Sequence, residues 1–539
     1  MLRSESDTET LLHLYIHEKE KCLSRINGFF SLAIYDQELQ EIFMARDRFG
    51  VKPLLIYEDE DSFLFASEMK ALLRLGIQKE LDIDSLKIYL QLNYIPQPYS
   101  VFKGVRKMMP GTWIKYSLIQ NQITEEKKYY SLPEVSSNNA RGDEVKSRLF
   151  ELLDSSVQRR MISDVPLGCF LSGGIDSSII SALAARHTTR LKTFSIGFKD
   201  APFYDETHFA RLVAQMHHTD HTMFRISNND LYEVLHDVLN YLDEPFADSS
   251  ALNVFILSRM TRKEVTVALS GDGGDELFAG YSKHRAEWIM RHKPLWRTAM
   301  KLLHPILKKF SGSRHSTFAN RMRQLKRFSE GAMLNESDRY WRWCGISGEK
   351  ETDLLLAPEL KQFNGAYLKR KEKLVRLPSG MNDLNKILYA DMSLILPGDM
   401  LAKVDLMSMA NGLEVRTPFL DYEVVDFAFS LPSSLKINKT EQKKLLKETF
   451  RALLPSEILN RAKKGFEVPL LQWFQSELKS MIGNEWLEDS FIREQKIFDP
   501  DEIQKLKRKL FTNPSGDIEA RIWGLVVFQN WWKKYFLEK

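Results

Sequence analysis

Two short segments carry the residue types that chemistry needs. The first is Leu171-Ser172-Gly173-Gly174-Ile175-Asp176-Ser177-Ser178, which closes the apolar run 167–171. Paired glycines let a chain turn tightly and aim its N–H groups at an anion. Ser172, Ser177 and Ser178 add hydroxyl donors, and a helix predicted to begin near Ile179 would point its positive end at the loop. Such a nest suits pyrophosphate. Asp176 would repel a bare phosphate, so its presence predicts a Mg²⁺ bridge. The second segment is Ser270-Gly271-Asp272-Gly273-Gly274-Asp275-Glu276, after the apolar run 265–269. Ligands of open α/β sheets bind where loops leave the carboxyl ends of strands, so both loops together are expected to hold one nucleotide and its metal. Taken singly, the first reads equally well as a capped Gly-Ser turn and the second as a solvated acidic turn. The pairing carries the reading. The Gly-x-x-x-x-Gly-Lys-Ser/Thr loop of phosphoryl-transferring enzymes is absent from the sequence.

The elements that must position these loops follow from periodicity. Residues 144–160 place Val145, Leu149, Leu152 and Leu153 at helical spacing. Three short apolar runs follow, 167–171, 193–198 and 265–269, each leading sooner or later into a helix. Strands alternating with helices predict a parallel α/β sheet. The remaining chain reads as long, helical and aromatic-rich. Residues 133–142 are polar and turn-prone and form the expected linker. Before them the chain looks mainly β with a few helices. Segments 26–36 and 41–47 flank a polar turn and read as a hairpin, 62–67 as a strand, and Pro110-Gly111 as a turn ahead of the strand 112–116.

Composition sets the outer limits. The chain has 539 residues, a formal net charge of +4 and 43% apolar residues. That is long enough for more than one core, and too evenly charged to suggest a nucleic-acid or membrane-surface protein on that ground. Cys22, Cys169 and Cys344 are far apart and odd in number, which fits neither a disulfide framework nor a cysteine-type zinc site. The start shows no secretory signal and no window is apolar enough to span a bilayer, so a soluble, cytoplasmic protein is expected. Residues 291–327 carry many Lys and Arg and no acidic residue. With apolar residues interspersed at helical spacing they read as a solvated helix face, though RNA, an acidic partner or lipid headgroups would also meet such a run.

Ser-Gly-Gly-Ile-Asp-Ser-Ser resembles the pyrophosphate-loop signature of AMP-forming ATP pyrophosphatases. Together with 270–281, with 411–421 (Asn-Gly-Leu-Glu-Val-Arg-Thr-Pro-Phe-Leu-Asp) and with Arg461-Ala462-Lys463-Lys464-Gly465-Phe466, it resembles the asparagine synthetase family. This likeness runs from about residue 141 to the end. The front half is similar to the family's glutaminase domain, a class II amidotransferase fold, through Arg46-Asp47-Arg48-Phe49-Gly50-Val51-Lys52-Pro53-Leu54 and Phe65-Ala66-Ser67-Glu68-Met69-Lys70-Ala71-Leu72. Ser6-Asp7-Thr8-Glu9 looks like the segment whose aspartate holds the glutamine amine, which makes Asp7 a glutamine-binding remnant. The family's nucleophile is an N-terminal cysteine, whereas this chain starts Met1-Leu2, and Cys22 reads as a buried or incidental thiol.

The resemblance therefore implies α/β and α+β architecture: a truncated N-terminal-nucleophile-type αββα domain at 1–130, then a parallel-sheet ATP pyrophosphatase domain (adenine nucleotide alpha hydrolase-like) with a helical C-terminal part at 141–539. It implies ATP and Mg²⁺ as cofactors, and a ligase that adenylates aspartate, releases pyrophosphate and amidates the intermediate with ammonia. Asp176 and Asp275 would hold Mg²⁺. Ser172, Gly173, Gly174, Ser177 and Ser178 would bind pyrophosphate, and Phe170, Ile196, Ser270 and Gly271 would surround the adenosine. Lys463 would sit at the reacting phosphate. Asp272 stands where many relatives have glutamate and would act in intermediate formation. Glu414, Arg416 and Asp421 suit either a structural ion network or the acyl-acceptor pocket. Glutamine would serve only if an intact glutaminase were supplied elsewhere. A homodimer is compatible with this reading, and nucleic acid is not expected. Competing readings are the same chemistry on another carboxylate such as a sugar acid or peptide, an RNA-modifying pyrophosphate-loop enzyme, and a non-catalytic remnant.

Overall fold

The computed structural model describes residues 3–133, 142–200, 205–307, 317–361, 365–381, 383–461, 468, 470–512, 514 and 517–537. The front half holds seven strands: β1 (Ser31–Asp36), β2 (Glu41–Arg46), β3 (Leu55–Glu58), β4 (Phe63–Ala66), β5 (Val105–Lys107), β6 (Thr112–Ser117) and β7 (Gln122–Lys128). They form two antiparallel sheets, ordered β1-β2-β6-β7 and β4-β3-β5. The expected hairpin is present, with Ser31 opposite Arg46 and Asp36 opposite Glu41.

Alternation along β2 sorts its side chains between two cores. Met44 packs with Leu54, Ile56, Met108 and Ile114 between the sheets. Phe43 and Ala45 face the other way, onto Tyr15, Cys22, Leu23 and Trp113 beneath helix Asp7–Glu18. Beyond the second sheet, Leu55 and Tyr57 share a core with helices Met69–Arg74 and Ile83–Leu92. The layering is αββα. The turn after β2 is built by Asp47, whose carboxylate accepts the N–H groups of Phe49, Val51 and Lys52 at 3.0, 3.1 and 2.9 Å.

The second half holds β8 (Leu167–Phe170), β9 (Lys192–Phe198), β10 (Asp220–Ile226), β11 (Val267–Leu269) and β12 (Glu414–Arg416). Their order is β10-β9-β8-β11-β12, and every pairing is parallel. Helices Asp143–Arg160, Ile175–Ala184, Thr207–Met216 and Ser250–Thr261 accompany this sheet. The C-terminal part is helical, and its helix Ile518–Trp532 buries Trp523, Phe528 and Trp531.

Two expectations change. The helix after β8 begins at Ile175, not near Ile179, because Gly174 already has the extended N-cap conformation. Ser177 and Ser178 therefore sit in helix rather than loop. Sequence patterning also missed β10 and β12. β10 is only half-buried along most of its length, and β12 has three residues, too short to show a period. Of the expected linker, 134–141 lie outside the described residues. No helix among the described residues is long and apolar enough to cross a membrane.

The halves are joined by polar contacts. Lys52 Nζ lies 2.8 Å from Asp405 Oδ1, and Tyr130 donates its hydroxyl to Asp426 Oδ1 at 2.7 Å. Asp421 is fully buried and ion-paired to both Arg159 and Arg160 at 2.7 Å, and it accepts from Asn27 of the front half at 3.0 Å. Arg416 bonds Glu414 at 2.6 Å and the carbonyls of Arg160 and Ile162. None of the three lines the site described next. They form the structural ion network.

Candidate active site

β8 lies at the centre of the parallel sheet. The chain leaves it toward β9 and β10 on one side and then resumes with β11 and β12 on the other. Strand order thus reverses between β8 and β11, the point where open α/β sheets bind ligands. The loops leaving these neighbours are the two segments singled out above. They line one cavity of about 1000 Å³.

The loops are interlocked through their glycines. Gly173 has φ +74°, and a Cβ there would stand 2.6 Å from the backbone nitrogen of Ala210. A Cβ on Gly271 would stand 2.6 Å from the backbone nitrogen of Ser177. Only hydrogen fits, so the second loop lies directly on the first turn of the helix that carries Asp176. Ser172 Oγ and Ser177 Oγ are 3.0 Å apart, and Ser177 Oγ also accepts the Ser172 N–H at 3.2 Å. Two of the three hydroxyls expected to meet phosphate, those of Ser172 and Ser177, are thus side by side at the cavity.

Asp176 and Asp275 converge. Lys443 Nζ lies 2.5 Å from Asp275 Oδ1 and is also hydrogen-bonded to Asp176. Burial opposes the lysine's charge, but the two carboxylates outweigh it and hold the ammonium well above the usual lysine range. Lys443 itself has φ +53°, uncommon for a residue other than glycine. Asp272 accepts from Ser270 Oγ at 2.7 Å. Across the cavity Lys403 bonds Asp248 Oδ2 at 2.7 Å. Burial opposes that ammonium as well, and Asp248 and Asp399 raise it. Burial and neighbouring Asp248 push the Asp399 carboxyl up. Glu276, next to Asp275 and 2.6 Å from Tyr281 Oη, is pushed up to about 8 by burial and by Asp275.

Of the expected residues, Phe170, Ser172, Gly174, Asp176, Ser177, Ile196, Ser270, Gly271, Asp272 and Asp275 line the cavity. Gly173 does not line it; its carbonyl accepts from Arg461 at 2.9 Å. Ser178 is wholly buried and does not line it. Asp7 opens helix Asp7–Glu18 in the front half, away from these residues. Lys463 lies outside the described residues. Sequence reasoning missed Lys443, Lys403 and Asp248. Nothing local marks them: Lys443 stands in an ordinary basic run and meets Asp176 across 267 positions.

A cation fits between Asp176 and Asp275, since one already occupies that place as an ammonium group. Two carboxylates are enough for Mg²⁺, which keeps several waters and completes its shell with substrate phosphates.

The family model Asparagine synthase matches residues 148–533, and Glutamine amidotransferase domain matches 1–130. The chain is 32% identical to Asparagine synthetase [glutamine-hydrolyzing] 1 of Bacillus subtilis (strain 168) over 536 residues, 98% of this chain and 81% of that protein. Asparagine synthetase [glutamine-hydrolyzing] 3 of the same organism is 28% identical over 86% of this chain and 70% of its own length. Amidase chyE of Penicillium rubens is 26% identical over 90% of this chain and 76% of its own length.

Proposed function

This chain belongs to the asparagine synthetase family, and we propose that it is an aspartate-adenylating, ammonia-using ligase that forms asparagine, AMP and pyrophosphate. The observation that carries this reading is the convergence of Asp176 and Asp275, from the ends of adjacent strands, on one cation within the cavity.

A free carboxylate resists ammonia because its oxygen is a poor leaving group. In the proposed reaction a side-chain carboxylate oxygen of aspartate bonds to the α-phosphorus of ATP, and the bond from that phosphorus to the β-phosphate bridge oxygen breaks. Pyrophosphate departs into the nest of Ser172, Gly174 and Ser177. Phe170, Ile196, Ser270 and Gly271 surround the adenosine. Bound Mg²⁺, held by Asp176 and Asp275, would neutralise phosphate charge. Lys443, paired with both carboxylates, would add its positive charge beside the same phosphates, and Lys463 is assigned to the reacting phosphate. Ammonia then attacks the acyl carbon, AMP leaves and a proton is lost. Asp272 is the carboxylate assigned to intermediate formation. Asp248 and Lys403 offer opposite charges to the α-ammonium and α-carboxylate of aspartate.

Glutaminase activity is assigned no residue in this chain. Burial pushes the thiols of Cys22, Cys169 and Cys344 up to about 11, 12 and 11. A thiol in that range is not an activated nucleophile.

A second reading changes only the acid. The resemblance to a protein named an amidase supports it, and a carboxylate on a sugar or peptide is the alternative acceptor. The test is ATP–pyrophosphate exchange with aspartate and with such acids. Aspartate-dependent exchange, lost in Asp176→Asn and Asp275→Asn proteins that remain folded, is expected. Exchange that ignores aspartate but follows another acid would replace the first reading by the second. Near-normal exchange by folded Asp176→Asn would overturn both.

A further inference from the structure

Helix Pro294–Leu307 is turned inside out for a soluble protein. Leu295, Leu302 and Ile306 are 85%, 76% and 57% exposed. Their spacing puts them on one stripe, with Leu303 and Trp296, also exposed, beside it. The inward face is modest. Met300 packs with Met290 and Ala332, Leu307 joins that cluster, and His304 Nδ1 bonds Ser329 Oγ at 3.1 Å. The helix thus turns its larger apolar face away from the protein, and contiguous exposed apolar surface marks an interaction site.

Charge says what would cover it. Residues 291–327 contain no Asp or Glu. Some cations of the stretch are spoken for: Arg291 pairs with Glu287 and Glu336, and Arg323 and Arg327 pair with Asp517. Lys293 precedes the helix, and exposed Lys301 lies within it, off the apolar stripe. A short helix with a Leu/Ile stripe, an exposed Trp near its start and lysines at its flank has the composition of a helix that lies in a lipid interface. At 14 residues it is too short to span, since a spanning helix needs roughly 20.

We propose that helix Pro294–Leu307 docks this protein on an anionic lipid bilayer, with Leu295, Leu302 and Ile306 in the acyl boundary and Lys293 and Lys301 at headgroup phosphates. This is independent of which acid the active site adenylates.

The test is flotation of the full chain with vesicles of phosphatidylcholine mixed with phosphatidylglycerol, and with vesicles of phosphatidylcholine alone. Binding to the mixed vesicles is expected to be about tenfold tighter or more, each surface lysine contributing to attraction, and to weaken in high salt. The Leu302→Asp/Ile306→Asp variant should lose binding to both while keeping its pyrophosphate exchange. Lys293→Glu/Lys301→Glu should lose the preference for the anionic vesicles. Absence of binding to mixed vesicles would overturn the proposal, as would unchanged binding by Leu302→Asp/Ile306→Asp. So would a dimer in light scattering that this variant converts to monomer without any vesicle binding, because a second copy would then cover the stripe.

Discussion

Lys443 Nζ stands 2.5 Å from Asp275 Oδ1 and bonds Asp176 as well, so one buried ammonium is shared by two carboxylates from two different segments and offsets half of their charge. This contact sets the electrostatics of the site before any nucleotide arrives. With the nucleotide bound as proposed, the same ammonium would also face the phosphate charge.

Lys443→Ala should therefore do two things. Removing a preorganised charge from a transition state costs on the order of 10²–10³ in rate, and pyrophosphate exchange should fall by that factor. The variant also leaves Asp176 and Asp275 without their buried counter-charge, which typically costs about 3–5 kcal/mol. Mg²⁺ should then raise its melting temperature more than it raises the parent's. Equal Mg²⁺ responses in the two proteins would show that the metal does not share the lysine's place.

Gly271→Ala tests the interlock of the loops. The added Cβ would lie 2.6 Å from the backbone nitrogen of Ser177, and backbone cannot step aside as a flexible side chain does. Overpacking of this kind costs about 1–3 kcal/mol. Thermal unfolding should show that loss, and the KM for ATP should rise as the loops separate. A variant with unchanged melting and unchanged KM would mean the two loops are not in contact in solution.

The loops were legible in the sequence because their chemistry is local. Glycines, serines and aspartates at fixed spacing between a strand and a helix leave few other readings, and their adjacency follows from the parallel sheet. The first turn of the helix at Ile175 was not legible, because Asp176 and Ser177 look like loop residues until Gly174 is seen to cap them. Lys443, Lys403 and Asp248 were illegible for a different reason. They reach the cavity from distant segments, and lysines are normally solvated. The motif around Asp421 was visible, but its role was not: only the contacts to Arg159, Arg160 and Asn27 make it a joint between halves.

Lys436 gives a pH prediction away from the active site. Its ammonium is wholly buried with Asn385 Oδ1 at 2.8 Å and the Phe429 ring at 4.9 Å. Burial pushes it down to about 7, and the Asp383 carboxylate only partly opposes that. Between about 7 and the unfolded value near 10.5, the unfolded chain binds the proton and the folded chain does not. Stability from this group therefore rises with pH across that window, by about 1.4 kcal/mol per pH unit at most. Lys436→Met removes the penalty, so its melting temperature relative to the parent should be highest near pH 7 and decline toward pH 10. A difference that stays constant over the window would show that Lys436 is charged when buried.

The proposed nitrogen source rests on thiol chemistry. Cys22 is fully buried behind helix Asp7–Glu18, and burial followed by Glu18 and Glu20 pushes its thiol up to about 11. Cys169, pushed up by burial to about 12, lies within β8. Cys344, pushed up by burial to about 11, ends helix Glu336–Cys344, where Lys283 Nζ lies 3.7 Å from its sulfur. Glutamine hydrolysis through a covalent thioester needs a thiolate with an adjacent base, and none of the three supplies one. The 539-residue chain, given ATP, Mg²⁺ and aspartate, should form AMP with ammonium and not with glutamine. Cys22→Ala should leave the ammonium-dependent rate unchanged, because this thiol only fills a core. Glutamate release from glutamine in ammonia-free buffer at the rate of AMP formation would refute the assignment, and loss of that release in Cys22→Ala would identify the nucleophile.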